Sequence, residues 1–351
     1  MRKFLLSLFA LTLLVSCKGK ENSEHLTVTA GNSILILNTL SEDISLYRGG
    51  RILNHLSPAD QGANKIIIDE KGITVINSLS NSLTTYDFQL HLLSETSTGS
   101  GTNPFSGAEL GGILYVSLYL KDQIALFSRS GDSWKFKYSV EITGELPADT
   151  PGEKRRFSPM GVCRCCGRVF VALANLNSSS TAGGPGGIYM GKENEWSLIQ
   201  VNGRDTVNVV NIGGRIAVIS AGDYRNGEGF AGNGKIEIYH PEKSIFITEV
   251  DVPGAPYTVT GPINSRYFVS DASMGKVLVY DSEWKLVDKI ILSNNSLSMV
   301  SDLESFGNLL FAAEFNTSQL FVIDPVKLKI IGRYKTGEGP VDLQKVKGGV
   351  E

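Results

Sequence analysis

Three cysteines within four positions, Cys163, Cys165 and Cys166, form the densest group of reactive side chains in this 351-residue chain. Thiolates at such spacing suit a soft metal such as zinc or copper(I), or a redox pair. Free cysteine also packs as a small hydrophobe, which fits Cys163 and Cys165 on one face of an alternating strand, with Cys166 in the turn behind them. Carboxylates form a second group. One recurring position, two residues beyond an apolar triplet, reads Asn38, Asn77, Leu118, Leu173, Ser220, Asp271 and Glu314. On one end of a closed array these residues form a partial polar ring, with Asp271 and Glu314 as paired carboxylates for a cation or for acid–base work. The competing use of short polar residues there is to cap strand ends. Asp302 and Asp342, in register with Asn208 and Ser106, add acidity near the same axis. Only four histidines occur, His25, His55, His91 and His240, none beside a Ser/Asp or Cys arrangement for nucleophilic catalysis, so binding is favoured over chemistry.

The elements that must position these groups are strands. The chain repeats one theme: a short apolar strand, a Gly/Asn/Ser turn, an alternating strand, a polar loop and another alternating strand. The second strand of each unit is marked at Ile34–Ile36, Ile73–Val75, Leu114–Val116, Val169–Val171, Ile216–Val218, Tyr267–Val269 and Leu310–Ala312, at spacings of 39 to 55 residues. That period predicts seven four-stranded propeller blades. Pro104–Val116 aligns with Pro159–Val171 without a gap, and Thr206–Val218 falls into the same register. Gly339–Gly348 fits an innermost strand with no second strand after it, so it is expected to complete the blade begun by Asn32–Tyr47 and close the ring. The alternative is that His25–Ala30 supplies that strand. The fold class expected is therefore all-β, a single seven-bladed propeller over residues 26–351.

In Gly111–Phe127, and in the acidic endings of Ser270–Asp281 and Ala313–Asp324, the units resemble the YVTN-type bacterial propeller repeats. That resemblance implies a seven-bladed, usually exported propeller and supplies no activity. Propeller hydrolases of the gluconolactonase type hold a metal through Glu, Asn and Asp inside the channel. Their spacing is not matched here, and Asp271, Glu314 and Asn208 are what keep a divalent-metal, lactonase-like hydrolase as the alternative.

The N-terminus gives an address. Arg2 and Lys3 precede the apolar run Phe4–Val15, which is too short to span a ~30 Å bilayer, and small Ser16 precedes Cys17. Leu14–Cys17 resembles the lipobox of bacterial lipoproteins, which implies that residues 1–16 are a signal peptide, that Cys17 is lipidated and that residues 17–25 are a tether. The expected location is the bacterial cell envelope, on the outer membrane or periplasmic face. Removing Arg2 and Lys3 leaves 31 basic against 36 acidic residues, a net −5 with no basic stripe, which excludes nucleic acid as a partner. Two long loops, Asn175–Gly187 and Ala221–Gly234, follow second strands and so share a face. Asp223, Tyr224 and Arg225 in the second have the make-up of a recognition patch. Arg155 and Arg156, in the linker from Leu146, read as a solvated pair. The function expected is a lipid-anchored module binding an envelope protein or a polar ligand, with no cofactor.

Overall fold

The computed structural model describes residues 33–225, 228–295 and 297–346, and the proposed signal peptide, Cys17, the tether and His25–Ala30 lie outside them. Among the described residues there is no helix. Seven four-stranded antiparallel sheets stand around one axis, each with its strands running from the axis outward. In blade 2, for example, the order is Ala63–Asp69, Gly72–Asn77, Ser82–Tyr86 and Leu92–Ser97. The apolar second and third strands are buried on both faces, whereas outer strands such as Arg51–Pro58 alternate between exposed and half-buried residues. That is the pattern of sheets stacked face to face with one wet edge.

Ring closure follows the C-terminal route. Pro340–Lys345 pairs antiparallel with Ser33–Asn38, setting Leu35 opposite Gln344 and Ile36 opposite Leu343, so blade 1 takes its innermost strand from the end of the chain. The sheet edge left open by the chain start is thereby covered. Seven apolar clusters fill the seven seams between blades. The seam of blades 4 and 5, for instance, packs Phe170, Ile188 and Val201 against Val209, Val218 and Tyr239. At ~1.5–3 kcal/mol per buried aliphatic or aromatic side chain, these seams outweigh the mostly exposed ion pairs as the source of stability.

One irregularity recurs in every blade. The pairing between innermost and second strands slips at the start of the innermost strand in all seven sheets: at Ala63/Lys65, Pro104/Gly107, Pro159/Val162, Thr206/Asn208, Pro256/Val259 and Val300/Asp302, and between Pro340 and Asp342 in blade 1. A bulge bends a strand and re-aims the side chain beside it. Amides left without ladder partners find hydroxyls on the second strand instead: Ser106 N donates to Ser117 Oγ (3.1 Å) and Thr258 N to Ser270 Oγ (2.9 Å).

Candidate functional site

The bulges place one residue per blade in a tier around the axis: Lys65, Ser106, Gly161, Asn208, Thr258, Asp302 and Asp342. The cavity that they border has a volume of about 330 Å³, at the low end of the ~300–1,000 Å³ of small-molecule sites. Charge occupies three adjoining blades. Lys65 Nζ donates to Asp342 Oδ1 at 2.6 Å, Ile66 N donates to Asp342 Oδ2 at 2.8 Å, and Leu343 N donates to Asp302 Oδ2 at 2.8 Å. Deeper along the same strands, Lys345 Nζ donates to Glu304 Oε1 at 3.0 Å. The opposite wall is neutral. Asn208 donates to Tyr257 O (3.2 Å), Gly161 lies against Asn208, and the half-buried rings of Phe105 and Tyr257 border the cavity toward the loop-bearing face.

The electrostatics follow from that crowding. Burial, and then the neighbouring Asp342 carboxylate, push the Asp302 carboxyl well above the usual carboxylate range, and Lys65 offsets only part of this. Burial pulls the Lys65 ammonium down, but Asp342 and Asp302 outweigh it and hold its pKa above that of an ordinary lysine.

The sequence-derived candidates divide. Asn208, Asp302 and Asp342 border the cavity. Asn77, Asp271 and Glu314, expected in a ring at the channel mouth, do not: they end their second strands with side chains turned between strands, almost wholly buried. Each ties down the turn that follows. Asn77 Nδ2 donates to Ser82 Oγ (3.2 Å) and Thr84 Oγ1 (3.1 Å). Asp271 Oδ1 accepts from Ser273 N (2.9 Å) and Ser273 Oγ (2.6 Å). Glu314 accepts from Ser298 Oγ (2.9 Å), Met299 N (3.0 Å), Thr317 N (2.7 Å) and Thr317 Oγ1. These bonds are capping bonds, and of the three side chains' polar atoms Asn77 Oδ1 and Asp271 Oδ2 are buried without a hydrogen-bond partner among the described residues.

The cysteines do not act as one set. Cys163 is half-buried at the cavity wall, Cys165 is buried in the seam of blades 4 and 5, and Cys166 is exposed in the turn with φ +52°. Cys165 Sγ and Cys166 Sγ stand 3.0 Å apart, and burial, then contact with Cys166, pushes the Cys165 thiol up to about 12. No group of three or more His, Cys, Asp or Glu side chains with metal-holding geometry occurs among the described residues.

Asp223, Tyr224 and Arg225 sit away from the axis, on a short hairpin in which Tyr224–Arg225 pairs with Gly229–Phe230. A residue that the sequence reading passed over organises this face. Arg204, the last residue of the outer strand Glu195–Arg204, donates from Nε to Asp223 Oδ1 (2.6 Å), from Nη1 to Asp149 Oδ1 (2.8 Å) and from Nη2 to Asp149 Oδ2 and Ala182 O. The linker between blades 3 and 4 and the long loops of blades 4 and 5 are thus held by one guanidinium, which keeps the Asp149 carboxyl below its usual range. Arg155 is not solvated as expected: it donates to Leu146 O (2.9 Å), Pro147 O (2.7 Å) and Asn175 Oδ1 (3.1 Å), while Arg156 lies over the Tyr119 ring. Lys65, Glu304 and Lys345 also escaped the sequence reading. Aligning Ala63–Asp69 and Pro340–Lys345 with the other innermost strands would have placed Lys65 in the tier, Glu304 one pleat repeat beyond Asp302, and Lys345 three residues beyond Asp342.

No family model matches the chain, and no curated protein matches it. Among solved structures it is similar to a putative 6-phosphogluconolactonase from Bacteroides fragilis (15% identity, covering 90% of this chain and 97% of that one, TM-score 0.67). It is also similar to apo AztD from Citrobacter koseri (12%, 89% and 96%, 0.61) and to virginiamycin B lyase from Staphylococcus aureus (10%, 78% and 84%, 0.60). At these identities the likeness establishes the fold, a seven-bladed β-propeller, and stops there.

Proposed function

We propose that this protein is an exported, lipid-anchored propeller of the bacterial cell envelope that binds a polar small ligand in its axial cavity. The observation that carries the reading is the tier itself: seven bulges turn one residue per blade toward a common space, six of the seven bear a side chain, and three are charged. Building charge into an enclosed space costs folding free energy, and a ligand that uses the charge offsets that cost. The leader with Cys17 supports the address, and the loop cluster around Arg204 gives the same face an ordered rim.

Fractionation tests the anchor. The native chain is expected in the membrane fraction, and Cys17→Ala moves it to the soluble fraction with the propeller still folded, because one or two acyl chains supply the membrane affinity. Recovery of native chain in the soluble fraction refutes the anchor. The hydrolase reading draws on the Asp302–Asp342 pair, two carboxyls sharing a cavity. It requires turnover of a lactone or ester that Asp302→Asn abolishes.

A further inference from the structure

The side chains bordering the cavity carry an odd charge. Lys65 and Lys345 face Asp302, Glu304 and Asp342: two cations for three carboxylates, a net −1. The pairings leave one carboxylate over. Lys65 takes Asp342, Lys345 takes Glu304, and Asp302 receives only the Leu343 amide through Oδ2, so Oδ1 has no hydrogen-bond donor among the described residues. A carboxylate enclosed without a counter-ion either holds a proton or takes a cation from outside.

We propose that the axial cavity takes a small organic monocation, its ammonium seated against Asp302 Oδ1 and its apolar part lying toward Phe105 and Tyr257. The assignment rests on the axial-binding reading above and narrows it to one class of ligand. With Asp302 ionised, a single positive charge neutralises the cavity, whereas an anion adds to the excess and a neutral ligand leaves Asp302 holding its proton. A divalent metal is disfavoured by the donor set, since two of the three carboxylates already hold lysines. The aromatic rings at the loop-bearing end suit an alkyl or aryl ammonium.

Proton linkage follows. The groups that act on Asp302 are Asp342 and the Leu343 amide from blade 1, Lys65 from blade 2 and Glu304 on its own strand, and Gln344, Lys345, Tyr257, Thr258 and Cys163 border the same cavity. Burial and Asp342 favour the protonated carboxyl, and an arriving cation favours the ionised one, so binding expels a proton and strengthens as pH rises through the Asp302 pKa.

The test is calorimetric titration of the full chain in detergent with butylamine, choline, butanol, butyrate and glucose, from pH 5 to pH 8 in buffers of differing ionisation enthalpy. The amines are expected to bind at least about 10-fold more tightly than butanol or butyrate, with up to one proton released, and Asp302→Asn is expected to weaken them by ~10–100-fold. The pH profile of the native chain tests the same point without any variant. Butanol, butyrate or glucose binding as well as the amines overturns the monocation and leaves axial binding standing. A cavity that takes none of the five overturns both.

Discussion

At the scale of single residues, the carboxylates of this chain separate by what surrounds them, not by where they stand in the repeat. Glu314 and Asp271 satisfy turn amides, Asp342 neutralises Lys65, Glu304 pairs with Lys345, Asp149 and Asp223 share Arg204, and Asp302 borders the cavity without a lysine bonded to it. Arg204 makes the sharpest local prediction. Replacing it by Met removes the shared donor from Asp149 and Asp223, and the loop bonds Asp149 N to Gly183 O (2.9 Å) and Ala231 N to Asp223 O (2.8 Å) lose their support. Since the carboxylates are substantially exposed, the loss is about 1 kcal/mol, seen as roughly 5-fold faster hydrogen exchange at those two amides. Its pH dependence has a fixed sign. The Asp149 pKa is lower in the folded protein than in the unfolded chain, so its contribution is present above the ordinary aspartate value of ~3.9 and is lost as pH falls through the depressed value. Native and variant exchange rates should therefore converge only in acid below pH ~4.

At the scale of elements, the innermost strand is where sequence and structure meet most closely. The register that puts Asp302 and Asp342 level with Asn208 and Ser106 is visible in the chain, because a Pro or small residue opens most copies and an apolar residue follows the aimed one. The bulge that aims them is not visible, since it is a backbone slip which the stacking of seven sheets imposes on strands of different composition. The second-strand ends misled for a related reason. A polar residue at a strand end reads the same whether it faces an axis or folds back over a turn, and only the following Ser273, Thr317 or Ser82 decides, by offering the nearer partner. Arg204 was illegible because its partners come from two separate loops, 55 residues before it and 19 after it. Gly161 tests the tier as an element. A Cβ there would stand 2.1 Å from Asn208 Oδ1 and 2.7 Å from Asn208 Cα, so Gly161→Ala must displace backbone. The expected cost is ~1–3 kcal/mol, read as a lower urea midpoint at unchanged slope, with weaker ligand binding from the displaced Asn208.

At the scale of the whole molecule, the ring is closed by six residues at its far end. Pro340–Lys345 is the innermost strand of blade 1, Leu343 is buried in the seam of blades 7 and 1, and Asp342 completes the charged tier. A chain ending at Gly339 loses the closure, exposes the edge of Ser33–Asn38 and leaves Lys65 without its counter-ion. The penalty is on the order of a domain's entire stability of ~5–15 kcal/mol. The truncated chain is expected to lack a cooperative thermal transition and to self-associate through the bared strand, as light scattering would show. A soluble monomer with the native melting curve would refute velcro closure as the stabilising device. The repeated bulge carries a further consequence. Four of the seven tier residues bond the backbone of the next blade: Ser106 Oγ accepts from Val162 N, Asn208 Nδ2 donates to Tyr257 O, Asp302 Oδ2 accepts from Leu343 N and Asp342 Oδ2 accepts from Ile66 N, so a substitution there alters the joint between two blades together with what the axis presents. The inner lining and the fastening of neighbouring blades are therefore written in one set of side chains, and respelling the first carries a cost in the second.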